Sequence, residues 1–198
     1  MQRMAAILIA EHAPRDARVL VLGAGGGLEM KAFAESSPGW SFDGVDPSAE
    51  MLELAAKTLG PLASRARLTN GLIDDAPSAP FDAATSLLTL HFLDEKERLR
   101  TATQVHRRLK PGAPIVVAHF SVPNDTAEER DRWLSRYVEF ATASGVSRPD
   151  AEAAREAIDE QVPILTPDQD KAILQQAGFT DVTEFYTAFT FRGWVAYA

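Results

Sequence analysis

The chain has 198 residues, 45% hydrophobic and 24% charged, proportions that fit one globular domain and leave no case for disorder or a fibrous repeat. A formal net charge of −8 opposes capture of a phosphate backbone, so nucleic acid is set aside as a partner and a small molecule is expected. The absence of cysteine removes disulfides, thiolate nucleophiles and cysteine-ligated zinc, while the apolar run Met4 to Ala10 is too short for a membrane span and lacks signal-peptide flanks; the expectation is a cytoplasmic protein away from membranes.

Met1, Met4, Ala5 and Leu8 recur at helical spacing and predict an opening amphipathic helix that stops before Pro14. Arg18 to Leu22 (RVLVL) is apolar without polar alternation and runs into glycines, as a strand buried on both faces does. A helix over Leu28 to Glu35 and a strand over Trp40 to Asp46, closed by Pro47, complete a strand-helix-strand unit. Ser48 then opens a helix carrying Met51, Leu52 and Leu54, and Ala66 to Asn70 supplies a third strand.

Phe81 to Leu90 predicts the fourth strand. Asp94 and Glu97 have capping-box spacing for a helix running to Lys110, and Ile115 to Phe120 is the fifth strand. From about 121 to 165 the rhythm breaks into two successive helices, near Thr126 to Ala143 and Pro149 to Glu160, which read as a helical cap insertion. Thr166, Pro167 and Gln169 start another helix and Gly178 ends it. The last two strands, near Thr180 to Thr187 and Thr190 to Tyr197, are too close for a parallel crossover and predict an antiparallel hairpin.

The turn after the first strand carries Gly23, Ala24, Gly25, Gly26 and Gly27. Such glycines let backbone approach a ligand, with the next helix offering unpaired N–H groups; a tight turn without a ligand has the same composition. Asp46, ending the second strand, is placed to accept both hydroxyls of a ribose, and equally to cap the helix after Pro47. His91 and His119 fall at the carboxyl edge, where α/β sheets bind ligands, and are the candidates for proton handling or for structural hydrogen bonds. Trp133, Tyr137 and Phe140 form one aromatic face of a cap helix. That face either packs on the domain or a second subunit, or walls a substrate pocket.

VLVLGAGGG, GVDPSAEML, FDAATSLLTLHFL and RRLKPGAPIVVAHF resemble, in order and spacing, the successive motifs of class I S-adenosylmethionine-dependent methyltransferases. The resemblance implies a Rossmann-like α/β fold over residues 1–198: a seven-stranded, mostly parallel sheet with helices on both faces and a C-terminal antiparallel hairpin. It further implies S-adenosylmethionine as cofactor and methyl transfer to a small molecule. By position, Gly23, Ala24, Gly25 and Gly27 would face the methionine moiety, Asp46 and Pro47 the ribose, and Met51, Gly71, Leu72 and Ile73 the adenine. Ser86 and Leu87 would close the pocket beside the sulfonium, Trp133 and Tyr137 would wall the substrate, and cap helices of this kind imply a homodimer. Two positions depart from the family pattern, Val21 and Leu72, where acidic residues are usual; Asp74 or Asp75 would substitute at the adenine, and Asp-Asp-Ala-Pro is equally ordinary turn composition.

The tail DEQVPILTPDQDKAILQQAGFTDVTEFYTAFTF is similar to one subgroup, the carboxy-S-adenosylmethionine synthases, which carboxylate the cofactor's methyl carbon with prephenate as donor. An ungapped match puts Arg155 where that subgroup binds the added carboxylate; its other reading is a solvated helix residue near Glu152 and Glu156. Methyl transfer, cofactor carboxylation and cofactor binding without catalysis are the three functional expectations, in that order.

Overall fold

Alternate side chains of the first strand, β1 (Arg18–Leu22), enter different layers in the computed structural model, which describes residues 1–78 and 80–198. Val19 and Val21 pack on one face with the helices α1 (Gln2–Ala10), α2 (Leu28–Ser36) and α3 (Ala49–Leu59); Leu20 and Leu22 pack on the other with α4 (Glu95–His106) and α7 (Pro167–Gln176). Both faces being covered is why the strand shows no polar alternation.

The other strands are β2 (Ser41–Asp46), β3 (Ala66–Asn70), β4 (Ala83–Leu87), β5 (Pro114–Phe120), β6 (Thr180–Ala188) and β7 (Phe191–Tyr197). They lie in the order β3-β2-β1-β4-β5-β7-β6. The first five pair in parallel, with Val21 opposite both Gly44 and Thr85, while β7 runs antiparallel between β5 and β6. The expected Rossmann-like sheet with its terminal hairpin is therefore what forms. The order places the ends of β1, β2 and β4 side by side, where a ligand crevice opens in such sheets.

Helix starts follow the local signals. Ser48 Oγ accepts from Met51 N–H at 3.2 Å, Asp94 Oδ1 from Glu97 N–H at 2.8 Å, and Thr166 with Gln169 forms a reciprocal capping box. The largest boundary differences from expectation are at two C-terminal ends. β4 ends at Leu87 rather than Leu90, because Leu88 takes a left-handed backbone (φ 61°) and its N–H donates to Ala118 O on β5. α4 ends at His106 rather than Lys110, since the segment after it bonds to Phe81, which donates its N–H to Arg108 O and accepts from Lys110 N–H.

The two cap helices are α5 (Ala127–Ala143) and α6 (Arg148–Gln161). Leu134 of α5 joins Phe120, Val122, Val162 and Ile164 in a small separate core, with Trp133, Tyr137 and Phe191 against it. No helix among the described residues is long and apolar enough to cross a membrane.

Candidate functional site

Beyond the ends of β1, β2 and β4 lies a cavity of about 540 Å³. Its first wall is the turn Gly23 to Gly27. Gly23 has φ 74°, and a Cβ built on it would sit 1.9 Å from Thr89 Oγ1, so the turn from β4 and the glycine turn fit together only without a side chain there. Gly25 and Gly23 both line the cavity. Ala24 and Gly27 act behind it: Ala24 is buried with its N–H on Val45 O, and Gly27 abuts the α3 backbone at Ala55, so close helix packing is what requires a glycine at that position.

Asp46 forms the second wall. Gly25 N–H donates to its Oδ2 at 2.9 Å and Ser48 N–H to its Oδ1 at 2.9 Å, which fixes the carboxylate while leaving lone pairs free on both oxygens. Pro47 and Met51 continue this wall, with Met51 Cε 3.8 Å from a Cβ built on Gly25. Gly71, Leu72 and Ile73 line the next side. Asp75 turns back and accepts from Leu72 N–H at 2.9 Å, so it serves the turn itself.

Leu87 lines the cavity but Ser86 does not: it is buried on the α4 side of the sheet, its hydroxyl without a partner among the described residues. Sequence reasoning missed Leu88, Thr89 and Phe92 after β4, and Glu97, Arg100 and Thr101 on α4, all of which line the cavity. Arg100 holds Asp74 at 2.7 Å and Glu97 at 2.9 Å. The helical period of α4 offered a signal for the latter group, since Glu97, Arg100 and Thr101 share a face.

His91 and His119 sit at the carboxyl edge, yet neither lines the cavity. His119 Nε2 is 3.1 Å from Asp170 Oδ1, and its ring lies 5.4 Å from that of Trp194. The fully buried Arg98 bonds Asp170 Oδ1 at 2.5 Å and also donates to Leu93 O and Pro163 O, at 3.1 and 3.0 Å. Burial raises the Asp170 carboxyl, but His119, Arg98 and Ser121 outweigh it and hold the group below the usual range. His91 accepts from Phe120 N–H at 3.5 Å; burial, then the neighbouring His119 and Arg98, push it down to about 4. Beneath the glycine turn, burial raises the Glu29 carboxyl to about 8 against a smaller opposing bond from Thr85.

The cap residues point elsewhere. Trp133 and Tyr137 pack inward on the small core, Tyr137 with its ring 6.2 Å from Phe120. Arg155 Nη2 meets Asp131 Oδ1 at 2.5 Å between α6 and α5, outside the cavity lining. Phe140 stacks on Phe189 at 4.9 Å beside a broad hollow of about 700 Å³ on the outer face of α5.

Residues 20–115 match a family model described as a methyltransferase domain. The chain is 30% identical over 196 residues to a carboxy-S-adenosyl-L-methionine synthase of Chromohalobacter salexigens, covering 96% of this chain and 72% of that protein. It is 28% identical over 170 residues to a demethylmenaquinone methyltransferase of Thermotoga maritima, covering 82% and 69%. Among solved structures it is similar to an O-methyltransferase family protein from Burkholderia thailandensis, with TM-score 0.71, 13% identity and coverage of 99% and 55%. Human N-acetylserotonin methyltransferase in complex with S-adenosylmethionine gives TM-score 0.66, 16% identity and coverage of 99% and 53%. The chain thus spans about half the length of these two solved structures, and they share its fold. Sheet order, glycine turn, pinned carboxylate and relatives agree: the chain belongs to the class I S-adenosylmethionine-dependent methyltransferase family.

Proposed function

We propose that this chain transfers the methyl group of S-adenosylmethionine to a small-molecule acceptor, with the cavity beside the glycine turn as the cofactor site. The observation that carries the reading is Asp46, whose oxygens each accept one backbone N–H and keep lone pairs for two vicinal hydroxyls. Gly23 and Gly25 give open backbone next to it, and Met51 supplies an apolar face. The bound cofactor supplies a methyl carbon on a cationic sulfur. Gly25 and Asp46 orient it, the buried Leu87 excludes water from one side, and alignment of the acceptor supplies most of the rate. His91 and His119 belong in this reading to the buried frame under the cap rather than to proton transfer. The same reading has the chain acting in the cytoplasm, without nucleic acid, as a homodimer through the cap helices.

Asp46→Ala should weaken S-adenosylmethionine binding at least about tenfold in titration calorimetry while the circular dichroism spectrum is kept. Unchanged affinity in a folded variant overturns the assignment. The names of several relatives favour a second reading, carboxylation of the cofactor's methyl carbon. Native mass spectrometry of the purified protein separates the two by the mass of any adenosyl ligand it retains.

A further inference from the structure

The inventory of charge around the cavity bears on what else it admits, given its assignment to an adenosyl cofactor. Asp46 and Glu97 are lining carboxylates, and the one lining cation among the described residues, Arg100, is clasped between Asp74 and Glu97. Two arginines outside the lining are also engaged. Arg98, 1% exposed, is held by Asp170 and two backbone carbonyls, and Arg155 by Asp131. His91, pushed down to about 4, is neutral at pH 7 and adds no positive charge.

Against this, four large apolar side chains line the cavity and still face solvent: Met51 and Leu72 on the side assigned to adenine, and, after β4, Leu88 at 43% exposure and Phe92 at 66%. Leu88 does so with a left-handed backbone, φ 61°, which costs a leucine about 1–2 kcal/mol. The conformation belongs to the turn that follows β4 at Leu87. It is imposed by the 2.6 Å bond from Leu88 N–H to Ala118 O and by Thr89 lodged against Gly23. The result holds a bulky apolar group in water at the meeting point of β4 and the glycine turn. Contiguous apolar groups held this way mark a binding surface.

We propose that Leu88 and Phe92 form the acceptor-binding surface, and that the acceptor is an uncharged, largely apolar molecule bearing one nucleophilic hydroxyl or amine. An anionic acceptor would meet two carboxylates and no free lining cation. In the transfer, the bond from acceptor oxygen or nitrogen to the methyl carbon forms as the carbon–sulfur bond breaks; the acceptor's proton passes to water and the sulfur leaves as a neutral thioether. This inference rests on the cofactor assignment.

The test uses the full chain saturated with S-adenosylhomocysteine, titrated with 2-naphthol and with its carboxylated counterpart 6-hydroxy-2-naphthoate. Wild-type protein should bind 2-naphthol at least tenfold more tightly than the carboxylate. Leu88→Arg should narrow that preference below threefold, and the exposed Phe92→Ala should weaken 2-naphthol at least fivefold while S-adenosylhomocysteine still binds. Equal or tighter binding of the carboxylate, or binding of neither probe by loaded wild-type protein, overturns the inference and leaves the cofactor assignment standing. Failure of wild-type protein to bind S-adenosylhomocysteine overturns both.

Discussion

The central sheet and the helices packed on its two faces hold most of the buried apolar residues, whereas α5 and α6 bury only Leu134, Val138 and Ala151 between them. Fully burying one such side chain is worth about 1.5–3 kcal/mol, so the sheet is held by many terms of that size and the cap by few. The cap makes up part of the difference with ion pairs: Arg130 with Asp159, Arg148 with Glu139 and Arg155 with Asp131. These pairs are largely exposed, and screening by water keeps such contacts weak. Cofactor geometry is thus set by a rigid frame, in which Arg98 ties α4 to Asp170 of α7 and reaches the end of the cap at Pro163 O, while Leu134 seats the cap on Phe120 of β5.

The largest way to break this arrangement is at that fastening. Arg98→Met strands the Asp170 carboxylate in the interior and should lower stability by about 3–5 kcal/mol in urea unfolding. Combining it with Asp170→Leu should recover most of the loss, because the penalty comes from the unpaired charge. A single-variant loss below about 1 kcal/mol would show that the buried pair does not hold α4 to α7.

Within the frame, Glu29 supplies the opposite sign. Its folded-state value near 8 lies above the ordinary 4.5, so the native state binds a proton that the unfolded chain releases, and stability falls as pH rises from about 4.5 to 8. Glu29→Gln removes that cost. It should stabilise the protein by roughly 3 kcal/mol at pH 7, with the gain vanishing near pH 4 in thermal or urea unfolding followed across pH. A gain independent of pH would mean the carboxyl does not titrate as placed.

The smallest effect belongs to the cap surface. Arg155→Ala should cost no more than about 1 kcal/mol, with a coupling to Asp131→Ala of similar size or less in a double-mutant cycle, declining with added salt. A larger, salt-insensitive coupling would put Arg155 among the interior charges.

How far the sequence could be read follows the same division. β1 forms over the predicted residues because its apolar run and flanking glycine turn act locally, and the Thr166 box announces α7 for the same reason; β3 also forms where predicted, over Ala66–Asn70. The end of β4 escaped, since nothing about leucine favours a left-handed backbone; Leu88 adopts it through a bond to β5, far away in the chain. Gly23, Gly25, Asp46, Met51, Gly71, Leu72, Ile73 and Leu87 come together at one cavity, their positions following directly from strand ends. Glu97 and Arg100 reach the same cavity only because α4 packs beside the turn bearing Asp74. His91 and His119 were legible as edge residues, but their burial depends on Arg98 and on Asp170 of α7, a tertiary meeting that periodicity does not encode.

The position of β7 has a consequence for the order of assembly during synthesis. It is the last strand in the chain yet lies inside the sheet, pairing Val117 with Trp194 on one side and Glu184 with Trp194 on the other. Until residues 191–197 leave the ribosome, the emerged strands β1 to β5 present β5 as an open edge, PIVVAHF, apolar but for His119, to which any other extended segment can add. The nascent chain passes through a stage in which the cofactor cavity can form while the sheet remains unsealed. A chaperone that shields extended apolar segments, or the early docking of a cofactor, would act most strongly in that interval.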